Sequence, residues 1–290
     1  MHYEGDIYRP PSEAYSLILQ VTVGCTHNEC TFCPSYKAKK FKLKPYEIIL
    51  ADLQEARIHY RHVERVFFAD GDAICMTTEK LTRLLNDVRQ TFPECTRVGV
   101  YGRATQILKK SHDELVELRE AGLGIIYIGA ESGSDIVLKN VIKGENVKDI
   151  TESVRKAENA GIQTSVTFIL GLGGRELISE HATKTGQMIA AMGASYVGLL
   201  TLLVSPEAPI YADVKSGKFE LLTPLEALEE LDIILENATC HTETVFRSNH
   251  ASNWLSLKGT LPQDRERLLQ QVRQAKADPN MLRSPRQRRL

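Results

Sequence analysis

Six short apolar segments alternate with helical patterns up to about residue 237, and this alternation limits the possible folds more than any other feature. The segments are rich in β-branched residues and end at glycine or polar residues, which is typical of buried strands. They cover residues 16–23, 64–69, 97–101, 124–129, 163–170 and 194–204. Strands joined through helices form right-handed units and a parallel sheet. At 290 residues, the chain has the length of one large α/β barrel or of two ordinary domains.

Capping residues set the bounds of several predicted helices. Ser111 is expected to begin a helix that Gly122 ends. Thr223, followed by proline, is typical of a helix start, and this helix should reach about residue 237. Farther on, alternation over residues 239–246 predicts a further strand, and a polar pattern predicts a helix over residues 262–277.

A loop with three cysteines follows the first predicted strand. Cys25, Cys30 and Cys33 have C-x4-C-x2-C spacing. A short loop of this kind can aim three thiolates at one object, and three thiolates suit an iron–sulfur cube or another soft metal. The chain has six cysteines and a polar N-terminal stretch unlike a secretion signal, which favours reduced thiols or metal ligands over disulfides.

Three other interpretations of the cysteine loop remain open at this point. A zinc site would need a fourth ligand, for which His27 lies inside the loop. The spacing also equals that of the first three ligands in plant-type [2Fe–2S] ferredoxins, whose distant fourth ligand would be Cys75 or Cys95. Buried, inert thiols are the third possibility, which three cysteines within nine residues disfavour.

Polar or glycine-rich loops follow the second, fourth and fifth predicted strands. Their sequences are DGD at residues 70–72, ESGSD at 131–135 and GLGG at 171–174. In a parallel sheet these loops meet the cysteine loop at the carboxyl edge, where α/β folds bind ligands. Each loop also has a purely structural explanation: Asp72 can cap a helix, Glu131 can pair with a surface lysine, and the glycines can form simple turns.

The order of these loops resembles the radical S-adenosylmethionine superfamily, and most closely its branch with elongator-subunit, methylthiotransferase and nitrogenase-cofactor-maturase cores. The chain departs from the common C-x3-C-x2-C spacing by one extra residue, and Asp72 stands where the family usually has a glutamate. The resemblance extends over residues 14–205. It implies a partial (β/α)6 TIM-like barrel. The domain prediction is an N-terminal segment (1–13), this core (14–205), a C-terminal α/β extension over the barrel mouth (206–282) and a basic tail (283–290).

The resemblance implies a [4Fe–4S] cluster with three irons held by Cys25, Cys30 and Cys33. The fourth iron would bind the amino and carboxylate groups of S-adenosylmethionine, which reductive cleavage would convert to a 5′-deoxyadenosyl radical. The implied cofactor-binding residues extend over all four loops: Phe32, Gly71, Asp72, Glu131, Ser132, Gly171 and Gly173. Glycines suit close approach of a ligand because they carry no side chain.

Candidates for contact with a substrate are fewer. Cys75, just after the DGD loop, is either a hydrogen donor or a buried inert thiol. The run RSNHASNW at residues 247–254 concentrates hydrogen-bonding groups, and we expect Arg247 and His250 to contact the substrate over the barrel mouth. The alternative is a polar loop in which Trp254 serves as a core anchor.

Bulk properties restrict the partners. Lys plus Arg (36) balance Asp plus Glu (37) for a net charge of −1, so nucleic acid is disfavoured, and no apolar run is long enough to span a membrane. No cobalamin-binding or RNA-binding domain is recognisable. We therefore expect an oxygen-sensitive cytoplasmic enzyme that acts on a small molecule and receives electrons from a partner such as flavodoxin or ferredoxin. A non-catalytic iron–sulfur or zinc protein is the alternative.

Overall fold

The computed structural model describes residues 1–288, and their contacts form two compact units. The first unit contains residues 1–28, 35–128 and 156–164. The second contains residues 29–34, 129–155 and the described residues from 165 onward. The predicted basic tail ends at residues 289 and 290, which lie outside the described residues. The predicted domain boundaries after residues 13, 205 and 282 stay predictions.

The first half of the chain alternates strands and helices as predicted. Its elements, in order, are β1 (Leu17–Gln20), β2 (Thr22–Val23), β3 (Lys42–Leu43), α1 (Tyr46–His59), β4 (Arg65–Ala69), α2 (Thr78–Thr91), β5 (Arg97–Tyr101), α3 (Ala104–Lys109), α4 (His112–Ala121) and β6 (Leu123–Glu131).

The second half continues the alternation and then changes character. Its elements are α5 (Asp135–Asn140), α6 (Val147–Asn159), β7 (Gln163–Leu170), α7 (Ile178–Met192), β8 (Tyr196–Thr201), α8 (Ile210–Lys215), α9 (Pro224–Asn237), β9 (Thr244–Ser248), β10 (Leu257–Leu261) and α10 (Arg265–Ala277). Among the described residues, no helix is both long and apolar enough to cross a membrane.

In the first unit, β1, β4, β5 and β6 are parallel neighbours in that order. Leu17 pairs with Val66 and Val66 with Val98, so the register brings the carboxyl ends of these strands to one edge. The strands are almost wholly apolar and buried, as expected for a sheet covered on both faces, and Phe67 and Phe68 have no exposed surface. This confirms the predicted α/β class with parallel strands.

The first predicted strand, residues 16–23, is divided in two. β1 pairs with β4, whereas β2 turns away and pairs antiparallel with β3, so that Thr22 lies opposite Leu43. Val21 stands between them and donates its N–H to Ala69 O at 2.6 Å. Apolar sequence alone does not reveal the break because residues on both sides of it are buried.

In the second unit, β7, β8 and β9 are parallel neighbours and β10 pairs antiparallel with β9. The strand predicted over residues 239–246 begins only at Thr244, since Thr239 and Cys240 form turns with the end of α9. The helix predicted from residue 262 begins at Arg265, because Asp264 and Arg265 donate their N–H groups to Thr260 O and Pro262 O in a turn before it. The capping boxes at Ser111 and Thr223 confirm those two predicted helix starts.

Candidate active site

The carboxylate of Asp70 holds the start of the cysteine loop in the first unit. Asp70 is fully buried, and its Oδ2 accepts hydrogen bonds from Gly24 N–H (3.0 Å), Gln20 Nε2 (3.2 Å) and Lys39 Nζ (2.9 Å). Gly71 N–H in turn donates to Gly24 O at 3.2 Å. The DGD loop therefore fastens the residue directly before Cys25.

Asp72 binds the same loop one step farther along. It is fully buried, and it accepts hydrogen bonds from the Thr26 hydroxyl and from Arg103 N–H at 3.0 Å. Its side chain does not cap the short 3-10 turn that follows it. A Cβ at Gly71 would lie 2.6 Å from the ring of Tyr36, so only glycine fits there. The loop is thus built to position the residues beside Cys25.

Cys75 lies behind this loop as a protonated thiol. Burial raises the pKa of Cys75 to about 12, with further contributions from Asp72 and Cys25 that Lys110 partly offsets. A thiol with such a pKa is a poor nucleophile at neutral pH but keeps the S–H bond that a hydrogen donor needs. Its predicted role as a donor stays a prediction.

Cys30 and Cys33 lie in a tight turn of the second unit. Cys33 N–H donates to Cys30 O at 3.4 Å. Thr31 between them is held from both sides, because its N–H donates to Val141 O (3.0 Å) and its O accepts from Ile210 N–H (2.9 Å). Both cysteines and Cys25 are partly exposed and free of disulfides. The turn thus presents accessible thiols from a rigid backbone.

Phe32, in the same turn, packs against an apolar cluster instead of standing free. The buried members of the cluster are Val137, Val141, Leu172 and Leu202. Leu172 lies in the GLGG loop after β7, and Val137 and Val141 lie in or just after α5. Phe32 and the GLGG loop, both predicted to bind the cofactor, therefore meet in the second unit.

Glu131 forms a buried ion pair that the sequence did not indicate. It ends β6 with φ +67°, and its Oε1 accepts from Lys143 Nζ at 3.1 Å. Burial lowers the pKa of Lys143, but the negative charges of Glu131, Glu145 and Cys30 outweigh burial and raise it above its ordinary value. The partner of Glu131 is thus a buried, charged lysine beside Cys30, not the surface lysine of the structural alternative. No short-range motif points to a lysine twelve residues away.

The ESGS loop after β6 is packed directly on α7. Gly133 N–H donates to Thr185 Oγ1 at 3.0 Å, and a Cβ at Gly133 would lie 2.3 Å from Lys184 O. Ser132 Oγ accepts Ser134 N–H at 2.9 Å, the kind of hydrogen bond by which a serine side chain stabilises a turn. Its predicted contact with a cofactor stays a prediction.

The GLGG loop is a tight turn with two glycines in the left-handed region. Gly171 has φ +80° and Gly174 has φ +63°, and Gly174 N–H donates to Gly171 O at 3.1 Å. Gly171 N–H points inward and donates to Glu230 Oε2 at 2.6 Å. Gly173 is partly exposed, whereas Gly171, Leu172 and Gly174 are buried.

Arg247 and His250 are bound mainly to their own surroundings. Arg247 is exposed on β9 and its Nη1 donates to Phe246 O (2.8 Å) and Gly259 O (3.0 Å). His250 Nδ1 lies 2.9 Å from Ser252 Oγ. Burial, and then the charge of Arg283, lower the pKa of His250, so its ring is neutral at pH 7. Contact of either side chain with a substrate stays a prediction.

The rest of the 247–254 run is anchored on both sides. Asn253 is buried and joins β8, donating to Leu199 O (2.7 Å) and accepting from Thr201 Oγ1 (2.9 Å). Arg288, from the basic tail, places its guanidinium 3.7 Å from the centre of the Trp254 ring. The described part of the tail is therefore docked on this run and not extended into solvent.

The model of the family described as the Radical SAM superfamily matches residues 19–180. The heme chaperone HemW of Bacillus subtilis is 20% identical over 181 residues, which are 62% of this chain and 47% of HemW. A biotin synthase from Hydrogenobaculum is 24% identical over 229 residues, 75% of this chain and 61% of that enzyme. The chain thus spans less than two thirds of either relative.

Three enzymes of known structure share this fold. Methylornithine synthase aligns with a TM-score of 0.56 at 12% identity, covering 89% of this chain and 68% of that one. A radical S-adenosylmethionine methyltransferase from Kitasatospora setae, solved with cobalamin and a [4Fe–4S] cluster, gives 0.54 at 17% identity, covering 70% and 39%. Coproporphyrinogen III oxidase from Escherichia coli, a radical SAM enzyme, gives 0.56 at 18% identity, covering 77% and 52%.

Proposed function

This chain belongs to the radical S-adenosylmethionine superfamily, whose enzymes use a [4Fe–4S] cluster and S-adenosylmethionine, and we propose that it reductively cleaves S-adenosylmethionine to act on a small molecule. The observation that carries the proposal is the set of three partly exposed thiols at Cys25, Cys30 and Cys33, none of them in a disulfide. Three thiolates suit an iron–sulfur cube with one open iron, whereas a structural zinc site takes four ligands. The family match does not support the alternative of a non-catalytic iron–sulfur or zinc protein.

When bound, the cluster and its cofactor supply one-electron reduction of the sulfonium and breakage of its bond to the 5′ carbon. The protein's part is to hold the ligands in place. Asp70 and Asp72 hold the backbone on both sides of Cys25, and Val141 and Ile210 hold the turn between Cys30 and Cys33. Backbone contacts of this kind support each of the proposed cluster ligands within its own unit.

Charged and apolar groups complete the proposed cofactor site. The methionine part of the cofactor carries both a carboxylate and an ammonium, and the Glu131–Lys143 pair beside Cys30 offers one partner of each sign. Phe32 and the backbone of Gly171 and Gly173 suit the flat, largely apolar adenine. Gly71, Asp72 and Ser132 keep the supporting roles described above, and any direct contact with the cofactor is proposed on the resemblance alone.

The substrate and the electron donor are proposed by class only. The balanced charge of the chain favours a small molecule over a nucleic acid. The two relatives are named for heme and for biotin, so their names do not agree on one substrate. We propose Cys75 as a hydrogen donor, Arg247 and His250 as substrate contacts, and a flavodoxin or ferredoxin as reductant. An oxygen-sensitive cluster would place the protein in the reducing cytoplasm.

The test is anaerobic. The protein is reconstituted with iron and sulfide and its iron is counted; it is then reduced with dithionite, mixed with S-adenosylmethionine and assayed for 5′-deoxyadenosine and methionine. Four irons per chain and both products are expected from the wild type, with loss of both in Cys30→Ala. Cys95→Ala, which removes a thiol outside the cysteine loop that bonds Arg97 O at 3.5 Å, is the matched control. A two-iron or zinc-loaded wild type would refute the proposal.

The predicted substrate contacts need a separate experiment once a substrate is identified by mass spectrometry. Arg247→Ala and His250→Ala are expected to abolish its turnover while leaving four irons per chain and cofactor cleavage intact. Arg175→Ala is the matched control, since Arg175 is exposed and pairs with Glu220 and Glu226. Loss of iron or of the folded structure in the two variants would show that they serve the fold instead.

A further inference from the structure

Two buried ionisable side chains lie directly behind the GLGG loop. Glu230 projects from α9 and His181 from the first turn of α7, and neither has exposed surface. Glu230 Oε2 accepts the Gly171 N–H at 2.6 Å, and its Oε1 lies 3.7 Å from His181 Nδ1. Nothing in the chemistry proposed above uses either residue.

Stability alone does not explain why these two side chains are buried. Among the described residues, both ring nitrogens of His181 and Oε1 of Glu230 have no hydrogen-bond partner. Buried polar groups are ordinarily paired, and apolar residues of similar volume often replace buried ionisable pairs without loss of stability. A buried pair with unpaired polar atoms is therefore expected to have a role other than packing the core.

The loop above the pair depends on it for its shape. A Cβ at Gly173 would lie 3.2 Å from His181 Cβ, so the turn already sits close against the histidine. The Gly171 N–H has Glu230 as its acceptor at the point where φ is +80°. Because a glycine-rich backbone has more conformational freedom than any other, a fixed acceptor at this peptide restricts the turn more than it would elsewhere.

We propose that Glu230, backed by His181, is a positioning residue for the adenosine part of S-adenosylmethionine. Its carboxyl group holds the Gly171 peptide, and with it the turn, so that the partly exposed backbone of Gly173 meets the adenine. This inference rests on the proposed function and deepens it, because it assigns a role to residues outside the four loops. It predicts a defect confined to ligands that contain adenosine.

The experiment compares two ligands on anaerobically reconstituted protein of verified iron content. Dissociation constants for S-adenosylmethionine and for free methionine, which lacks the adenosine, are measured by equilibrium dialysis with labelled ligand. Glu230→Met removes the acceptor at similar volume, whereas Glu230→Gln keeps a carbonyl oxygen for the Gly171 N–H. Glu158→Gln is the matched control, because Glu158 accepts a backbone N–H from Thr164 (2.8 Å) at the other end of β7.

Glu230→Met is expected to weaken S-adenosylmethionine binding about tenfold or more, which corresponds to about 1.4 kcal/mol, and to change methionine binding less than about twofold. Glu230→Gln should stay within about threefold of the wild type for both ligands, and Glu158→Gln should match the wild type. Should Glu230→Met fail to fold, Glu230→Asp gives the same test, because it withdraws the acceptor by one methylene while keeping the carboxyl group.

Two results would overturn the positioning role. One is wild-type binding of S-adenosylmethionine by the folded Met or Asp variant. The other is an equal loss of affinity for both ligands, which indicates a general structural defect. Failure of the proposed function would give a different result from failure of the positioning role. A wild-type protein with four irons would then bind neither ligand and release no 5′-deoxyadenosine.

Discussion

Replacing Asp70 by asparagine removes the one charge that faces Lys39 at the base of the cysteine loop. Asp70 is fully buried and the Lys39 side chain is 10% exposed, with Nζ and Oδ2 2.9 Å apart. An asparagine oxygen in the place of Oδ2 still accepts from Gly24 and Gln20, so the change isolates the ionic part of the interaction. The lysine is left as a buried cation without its counter-charge.

The expected cost follows from that burial. Removing one partner of a buried ion pair costs about 3–5 kcal/mol. We expect about 3 kcal/mol, the lower end, because Lys39 Nζ keeps its hydrogen bond to Asp6 O and the asparagine keeps the neutral bonds. In a chain of this size about 1 kcal/mol shifts the melting temperature by roughly 2 °C, so a fall of about 6 °C is expected.

Calorimetry of the metal-free protein measures the effect without interference from cluster binding. Lys39→Met and the double variant complete a mutant cycle, in which the coupling energy should be about 1.5–3 kcal/mol. Iron content after reconstitution should fall in Asp70→Asn, because the ion pair with Lys39 no longer fixes the side chain that accepts from Gly24 directly before Cys25. A melting temperature within about 2 °C of the wild type, or additive single effects, would refute the reasoning.

Three further outcomes are expected. Gly133→Ala places a Cβ 2.3 Å from Lys184 O and should cost about 1–3 kcal/mol, seen as a lower melting temperature; wild-type stability would contradict the packing. Burial raises the pKa of Glu230 to about 8 and lowers that of His181 to about 4, from ordinary values of 4.5 and 6.5. Between pH 4.5 and 6.5 the two effects on the free energy of unfolding oppose each other. From pH 6.5 to 8 only the folded state holds the extra proton on Glu230, so the free energy of unfolding should fall by roughly 1–2 kcal/mol as pH rises. Melting scans of Glu230→Gln should lack this fall. Ser111→Ala removes the capping box of α4 and should cost about 1 kcal/mol by the same measurement, with iron content unchanged.

Local features of the sequence predicted most of the framework. The strands over residues 97–101 and 163–170 have the predicted bounds, and α9 begins after Thr223 and ends at Asn237 as expected. These elements are set by burial patterns and caps within a few residues of one another, so a short window contains the necessary information. The break at Val21 was missed because the partner strand, β3, is only two residues long and about twenty residues away.

The candidate site was predicted less completely. The cysteine spacing and the glycine-rich loops were recognisable because each is contiguous in sequence. The residues that hold them were not: Lys143 beside Glu131, and Glu230 with His181 behind Gly171. Nothing in the local sequence distinguishes these side chains from ordinary loop or helix residues, since their proposed function depends on a partner in another element.

The sequence by itself determined the order of strands and helices, the class of the fold and the three thiols of the cysteine loop. Periodicity, caps and motif spacing are short-range properties, and they act in the same way in any chain that carries them. Only the tertiary structure decided that Asp70 supports the residue before Cys25, that Glu131 pairs with a buried lysine, and that the basic tail docks on Trp254. A buried carboxyl group takes whichever partner the fold brings within a few ångströms, and that partner is 46, 12 or 59 residues away for Asp70, Glu131 and Glu230.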